Sequence, residues 1–117
     1  MNTILSAKDV NKNFGAVLAA QNLNIDIAEN TIVGLIGSNG AGKTTFINIV
    51  TGYIKPESGS IFFEKNDITL LTPRKITNLG ICRSFQIPQL FDSLNVYENL
   101  KVGMDIAIKN CNLIDKT

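Results

Sequence analysis

TIVGLIGSNGAGKTTFINIV, residues Thr31 to Val50, joins three kinds of sequence in succession. Thr31-Ile32-Val33-Gly34-Leu35-Ile36 is a continuous apolar run rich in β-branched residues. Its length and composition predict a strand buried on both faces, the type found in α/β sheets. Gly37-Ser38-Asn39-Gly40-Ala41-Gly42 is a glycine-rich turn that ends the run. Lys43 to Val50 then predicts a helix, with Phe46, Ile47 and Val50 as its apolar face. Gly52 is placed to end that helix, and Pro56 cannot continue it.

The order strand, glycine loop, Lys-Thr, helix is the P-loop pattern. With glycine at about 7% of residues, it should arise by chance in well under ~1% of chains this long. Its chemistry follows from its parts. Backbone N–H groups turned inward meet phosphate oxygens. The helix N-terminus adds about half a positive charge. Lys43 supplies a full charge to β- and γ-phosphates. The Thr44 hydroxyl suits Mg²⁺, and Thr45 is placed to donate to an α-phosphate. Gly37, Ser38, Asn39, Gly40, Ala41 and Gly42 are therefore candidate phosphate contacts, together with Lys43, Thr44 and Thr45.

Working outward, Leu23, Ile25 and Ile27 alternate with Asn22, Asn24 and Asp26, the period of a half-buried strand. An earlier strand is expected around Ile4 to Val10, with turn residues at Asn11 to Gly15 and a short extended piece at Val17 to Ala20. Downstream, Ser58-Gly59-Ser60 reads as a turn and Ile61 to Glu64 as a strand. Pro73 suits a first helical position with Thr72 as cap, and Gly80 ends that helix. Ile81 to Phe85 reads as a strand. A last helix is expected from Asn95 to about Lys109, opened by a capping-box variant with Glu98. Asn110 to Thr117 shows no clear order.

The bulk properties narrow the classes. The 117 residues suffice for one small domain. A net charge of +1 exerts no bulk pull on nucleic acid or an anionic membrane, so anion binding must come from a local site. Cys82 and Cys111 match no metal or redox spacing and read as free thiols in a reducing compartment. No signal peptide and no membrane-length apolar run is visible, which predicts a soluble, cytoplasmic protein. Histidine is absent, so no step needing imidazole can be completed by these residues.

From Phe14 to Leu100 the chain resembles the ATP-binding subunits of ABC transporters. The resemblance rests on GSNGAGKTT at the loop, on GYIKPESGSI from Gly52, on GICRSFQ from Gly80, and on LFDSLNVYENL from Leu90. It implies an α/β fold: a P-loop NTPase of ABC ATPase type, incomplete, with an N-terminal antiparallel β portion and the first P-loop strand–helix units. Residues 1–117 would form the N-terminal part of one nucleotide-binding domain, with a helical subdomain starting near residue 95. The cofactors implied are ATP and Mg²⁺. Phe14 would stack on adenine, with Val17 lining the same pocket. Gln86 would reach the Mg²⁺ and the attacking water, an amide being able both to ligand and to donate. Lys43 and Gln86 are thus the implied catalytic residues, and Thr44 and Gln86 the metal ligands. Arg83 reads as a strand-end arginine, and Asp26 and Asp105 as solvated.

The segment RSFQ with LNVYENL most resembles subunits serving branched-chain amino acid importers and their urea-importing relatives. The implied partners are membrane permease subunits, which would dock on the Gln86 to Leu94 region through Pro88, Leu90, Phe91 and Leu94, and a second ATP-binding subunit; no nucleic acid is implied. The implied location is the inner face of the cell membrane, reached through the permease. Three family features do not occur in the sequence: the LSGGQ-like signature, the second acidic motif and the switch histidine. Negligible ATPase activity is therefore expected of these residues alone. A non-catalytic nucleotide- or anion-binding module, or a non-functional remnant, is the alternative. A P-loop kinase or GTPase fits less well, for want of a guanine-reading NKxD segment.

Overall fold

The structure is a computed structural model, and it describes residues 2–38, 42–84 and 90–114, with side chains of the last helix as far as residue 106. The chain divides into two compact units, Met1–Ile76 and Thr77–Thr117.

The first unit is built on a long hairpin. β1 (Thr3–Phe14) and β2 (Val17–Ala28) pair antiparallel through a two-residue turn at Gly15 and Ala16, with Phe14 opposite Val17 at its tip. β3 (Ser58–Phe63) pairs with the other edge of β1, and β4 (Asn66–Asp67) extends the sheet to the order β2-β1-β3-β4. The alternation expected at Leu23, Ile25 and Ile27 is present: these are half-buried and Asn22, Asn24 and Asp26 are exposed. Asp26 accepts from the Ser6 hydroxyl at 2.6 Å.

Two turn expectations change. Asn11 to Gly15 is not a turn up to Phe14, because β1 runs on through a bulge. Asp9 takes φ 49° and Asn22 φ 44°, conformations that short polar side chains tolerate. Asparagine amides then replace the interrupted ladder. The Asp9 N–H donates to Asn24 Oδ1, the Asn22 N–H to Asn11 Oδ1, and Asn11 Nδ2 to Ser58 Oγ. Ser58 to Ser60 is likewise strand. Gly59, at φ 91°, faces the bulge, where a Cβ would stand 2.4 Å from the Asp9 carbonyl oxygen. That glycine serves close approach between strands.

α1 (Lys43–Val50) forms as expected and lies against β2. Its buried residues are Phe46, Ile49 and Val50, whereas Ile47 is exposed. Positions 46, 49 and 50 share one helical stripe, and 47 turns out of it. With Ala7, Val10, Ala20, Ile61, Ile68 and Ile76 these residues make the core.

The predicted strand at 31–36 is the largest departure. These residues carry no strand pairing, and Ile32 and Ile36 are 103% and 96% exposed. A strand buried on both faces needs flanking strands for its hydrogen bonds and covering layers for its side chains. Among the described residues nothing supplies either.

α2 (Pro73–Leu79) starts at Pro73, and the Lys75 N–H donates weakly to Thr72 Oγ1 at 3.4 Å. In the second unit, residues 81–84 form no strand, for the same want of a ladder partner among the described residues; Phe85 lies outside them. α3 (Val96–Ile114) opens with the expected capping box. The Glu98 N–H donates to Asn95 Oδ1 at 2.8 Å, and Asn95 Nδ2 donates back to Glu98 Oε1 at 3.1 Å. The helix outlasts the expected end at Lys109, so 110–114 are ordered as helix, and 115–117 lie outside the described residues.

Candidate nucleotide site

The site starts from the helix end. Gly42 is the N-cap of α1 at φ 94°, with no side-chain cap and no acidic residue in the first turn. The first N–H groups of α1 are thus left for an outside acceptor. The Phe46 N–H already bonds the Gly42 carbonyl at 2.9 Å, so the helix proper begins immediately behind the loop.

What places this helix end is another irregularity of the hairpin. Lys12 pairs with Ala20 and Asn13 with Leu18, so Ala19 is passed over. The Ala19 carbonyl oxygen would stand 2.3 Å from a Cβ at Gly42. Glycine is required there twice, for its backbone conformation and for this approach. The contact sets the helix start beside the tip of the β1–β2 hairpin.

A cavity of about 230 Å³ results, lined by Phe14, Val17, Ala19, Gly42, Lys43, Thr44 and Thr45. The hairpin tip and the loop-helix junction, separated in sequence, meet across it. Phe14 is 47% exposed. The lining contains a cation and two hydroxyls and no carboxylate, which suits an anion. Lys43 Nζ donates to the Gly37 carbonyl. An ammonium has three donors, so two remain for phosphate oxygens. A larger apolar cavity of about 340 Å³ adjoins, lined among others by Leu18, Ile25, Leu35, Ile36 and Phe46.

The expected residues divide as follows. Phe14, Val17, Gly42, Lys43, Thr44 and Thr45 come together. Gly37 and Ser38 are described and exposed. Asn39, Gly40 and Ala41 lie outside the described residues, as do Gln86 and Pro88. In the second unit Leu90 and Phe91 are 71% and 55% exposed, and Leu94 is half-buried. Asp105 and Cys82 are exposed, and Cys82 is a free thiol. The described residues contain no group of three or more His, Cys, Asp or Glu able to hold a metal, and no helix long and apolar enough to cross a membrane.

Sequence reasoning missed three residues. Ala19 carries no signal, since a bulge is set by pairing across the hairpin. Lys12 was legible in principle, because residues 12 and 14 share one face of a strand. Its Nζ stands 5.4 Å from the centre of the Phe14 ring. Asn99 latches the segment before α3: Asn99 Oδ1 accepts from the Phe91 N–H at 3.0 Å, and Nδ2 donates to the Leu94 and Asn95 carbonyls at 3.2 and 2.9 Å.

A family profile described as ABC transporter matches residues 20–116, and the chain belongs to that family. Its fold is accordingly that of an ABC-type P-loop NTPase, represented by the N-terminal antiparallel sheet and the P-loop helix. The chain is 43% identical over 100 residues to a probable branched-chain amino acid transport ATP-binding protein, LivG, from Archaeoglobus fulgidus, covering 86% of this chain and 39% of that one. Among solved structures, the ADP conformation of MJ1267, an ATP-binding cassette of an ABC transporter, superposes with a TM-score of 0.72 at 37% identity, covering 76% of this chain and 35% of that one. The dimeric bacterial ABC transporter cassette MJ0796 gives 0.74 at 26% identity, covering 85% and 46%. The chain spans about two fifths of the length of the curated relatives it matches.

Proposed function

We propose that this chain supplies the ATP-holding part of an ABC transporter's ATP-binding subunit, which in the intact protein couples ATP hydrolysis to import of branched-chain amino acids. The observation that carries the reading is the single cavity joining Phe14 to Gly42–Thr45. The ring takes the adenine and the helix end takes the phosphates. Lys43 neutralises phosphate charge, and the α1 N–H groups donate to phosphate oxygens. The Thr44 hydroxyl would help hold Mg²⁺, which supplies further charge neutralisation; one neutral oxygen suits an ion that keeps several waters and phosphate ligands.

The substrate class follows the Archaeoglobus fulgidus relative, a probable branched-chain amino acid transport ATP-binding protein. The permease partner follows the family, and the exposed Leu90 and Phe91 supply apolar surface for it. A second ATP-binding subunit is the further partner, in line with the dimeric cassette. On this reading the subunit is peripheral, on the cytoplasmic face of the membrane.

The test is calorimetric titration of the 117-residue chain with MgATP. Lys43→Ala should weaken binding about tenfold to a hundredfold, the worth of charge-assisted hydrogen bonds. Steady-state phosphate release should stay at background. Unchanged binding in Lys43→Ala would overturn the ATP-site reading, and robust turnover abolished by that substitution would overturn the expectation of inactivity.

A further inference from the structure

We propose that Lys12 is a positioning residue for the base, holding the Phe14 ring from behind so that its other face meets the adenine. The proposal rests on the reading of Phe14 as the base-stacking residue. Lys12 and Phe14 lie two apart on β1 and so project from the same face. The Lys12 ammonium stands over the ring, 5.4 Å from its centre, within the range of a cation–π contact. The described lining of the phosphate-side cavity contains Phe14 and not Lys12. The cation and the cavity thus meet the same ring, and on this proposal they take opposite faces of it.

The arrangement has a physical purpose. Phe14 ends β1 at the tip of an exposed hairpin, with nearly half its surface free. An aromatic ring there would sample several rotamers, and ordering it on binding costs affinity. A cation on the rear face removes that freedom beforehand. It also draws electron density from the ring, which eases face-to-face contact with a second π system. Lys12 is half-buried, and its charge sits at the ring.

The effect must depend on the base. Inorganic tripolyphosphate with Mg²⁺ presents the same phosphate chain without adenine, and so separates a ring-positioning lysine from a phosphate ligand. The experiment titrates both ligands into the chain and its Lys12→Met, Lys12→Arg, Phe14→Ala and Lys12→Met/Phe14→Ala variants. Folding of each is checked by circular dichroism; Met and Arg keep the aliphatic stem. Lys12→Met should weaken MgATP about two- to fivefold, as expected for an exposed cation–π pair. Tripolyphosphate binding should not move, Lys12→Arg should restore MgATP affinity, and Lys12→Met should add nothing in the Phe14→Ala background.

Equal weakening of both ligands would make Lys12 a phosphate contact and overturn the proposal. Tighter MgATP binding in Lys12→Met would show that the lysine obstructs the base, with the same consequence. If Phe14→Ala lowers MgATP affinity while Lys12→Met does nothing, this proposal alone falls. If Phe14→Ala leaves the preference for ATP over tripolyphosphate intact, the stacking reading beneath it falls as well.

Discussion

At the scale of single residues, the site depends on a glycine and on groups that the loop pattern does not name. Gly42 was marked by the GxxxxGKT spacing for its closeness to phosphate. The structure gives it a second task, accommodating the Ala19 carbonyl at the hairpin. Gly42→Ala should destabilise the chain by more than about 1 kcal/mol, since it combines strain at positive φ with a backbone clash. Chemical denaturation would register this as a lower midpoint at unchanged slope. A variant as stable as the parent would mean that the Gly42–Ala19 approach is looser than it stands here. Lys43 was legible from the loop pattern itself, and Phe14 only through the family resemblance, since a lone phenylalanine otherwise reads as core. Ala19 carried no signal, because its role exists only once the hairpin is paired and bulged; Lys12, two residues before Phe14 on one strand, was legible in principle.

Among the elements, local signals worked where the stabilising contacts are local. α1 has the limits read from its sequence, because its start is set by the glycine loop and its end by Thr51 and Gly52. α3 has the expected N-terminal cap, with reciprocal bonds between Asn95 and Glu98. Asn95→Ala removes the side-chain acceptor of the Glu98 N–H and should cost about 1 kcal/mol of helix stability. Faster hydrogen exchange at the Glu98 amide would be the direct sign, and exchange as slow as in the parent would count against the cap. Strands fared differently. The β1–β2 hairpin was seen as three pieces and is two long strands, since asparagine side chains bridge the bulge that looked like a turn. Period alone could not show that, because a bulge shifts the register without changing which residues are apolar.

For the molecule as a whole, the run Thr31–Ile36 is the critical feature. It presents Ile32 and Ile36 almost wholly to solvent and, among the described residues, leaves backbone groups without a ladder. Such an edge recruits further strands, its own copies included. The chain should therefore associate at micromolar concentration, and Ile32→Lys with Ile36→Lys should shift it toward monomer in sedimentation velocity. Those positions are outside the core, so the circular dichroism spectrum should be retained. A parent chain that sediments as a monomer over the whole range would contradict this.

The amino-acid order was sufficient for the phosphate loop, its helix, the capping box and the family, since each is written in contiguous or closely spaced residues. It also marked Thr31–Ile36 as a strand in waiting, from its apolar, β-branched character. Whether that run is a strand was a tertiary matter, because a strand exists only by hydrogen bonds to neighbours that its own residues do not contain. The same holds for the site. The loop announces a phosphate, but the meeting of Phe14, backed by Lys12, with Gly42–Thr45 required the hairpin to fold, bulge at Ala19 and bring its tip to the helix end.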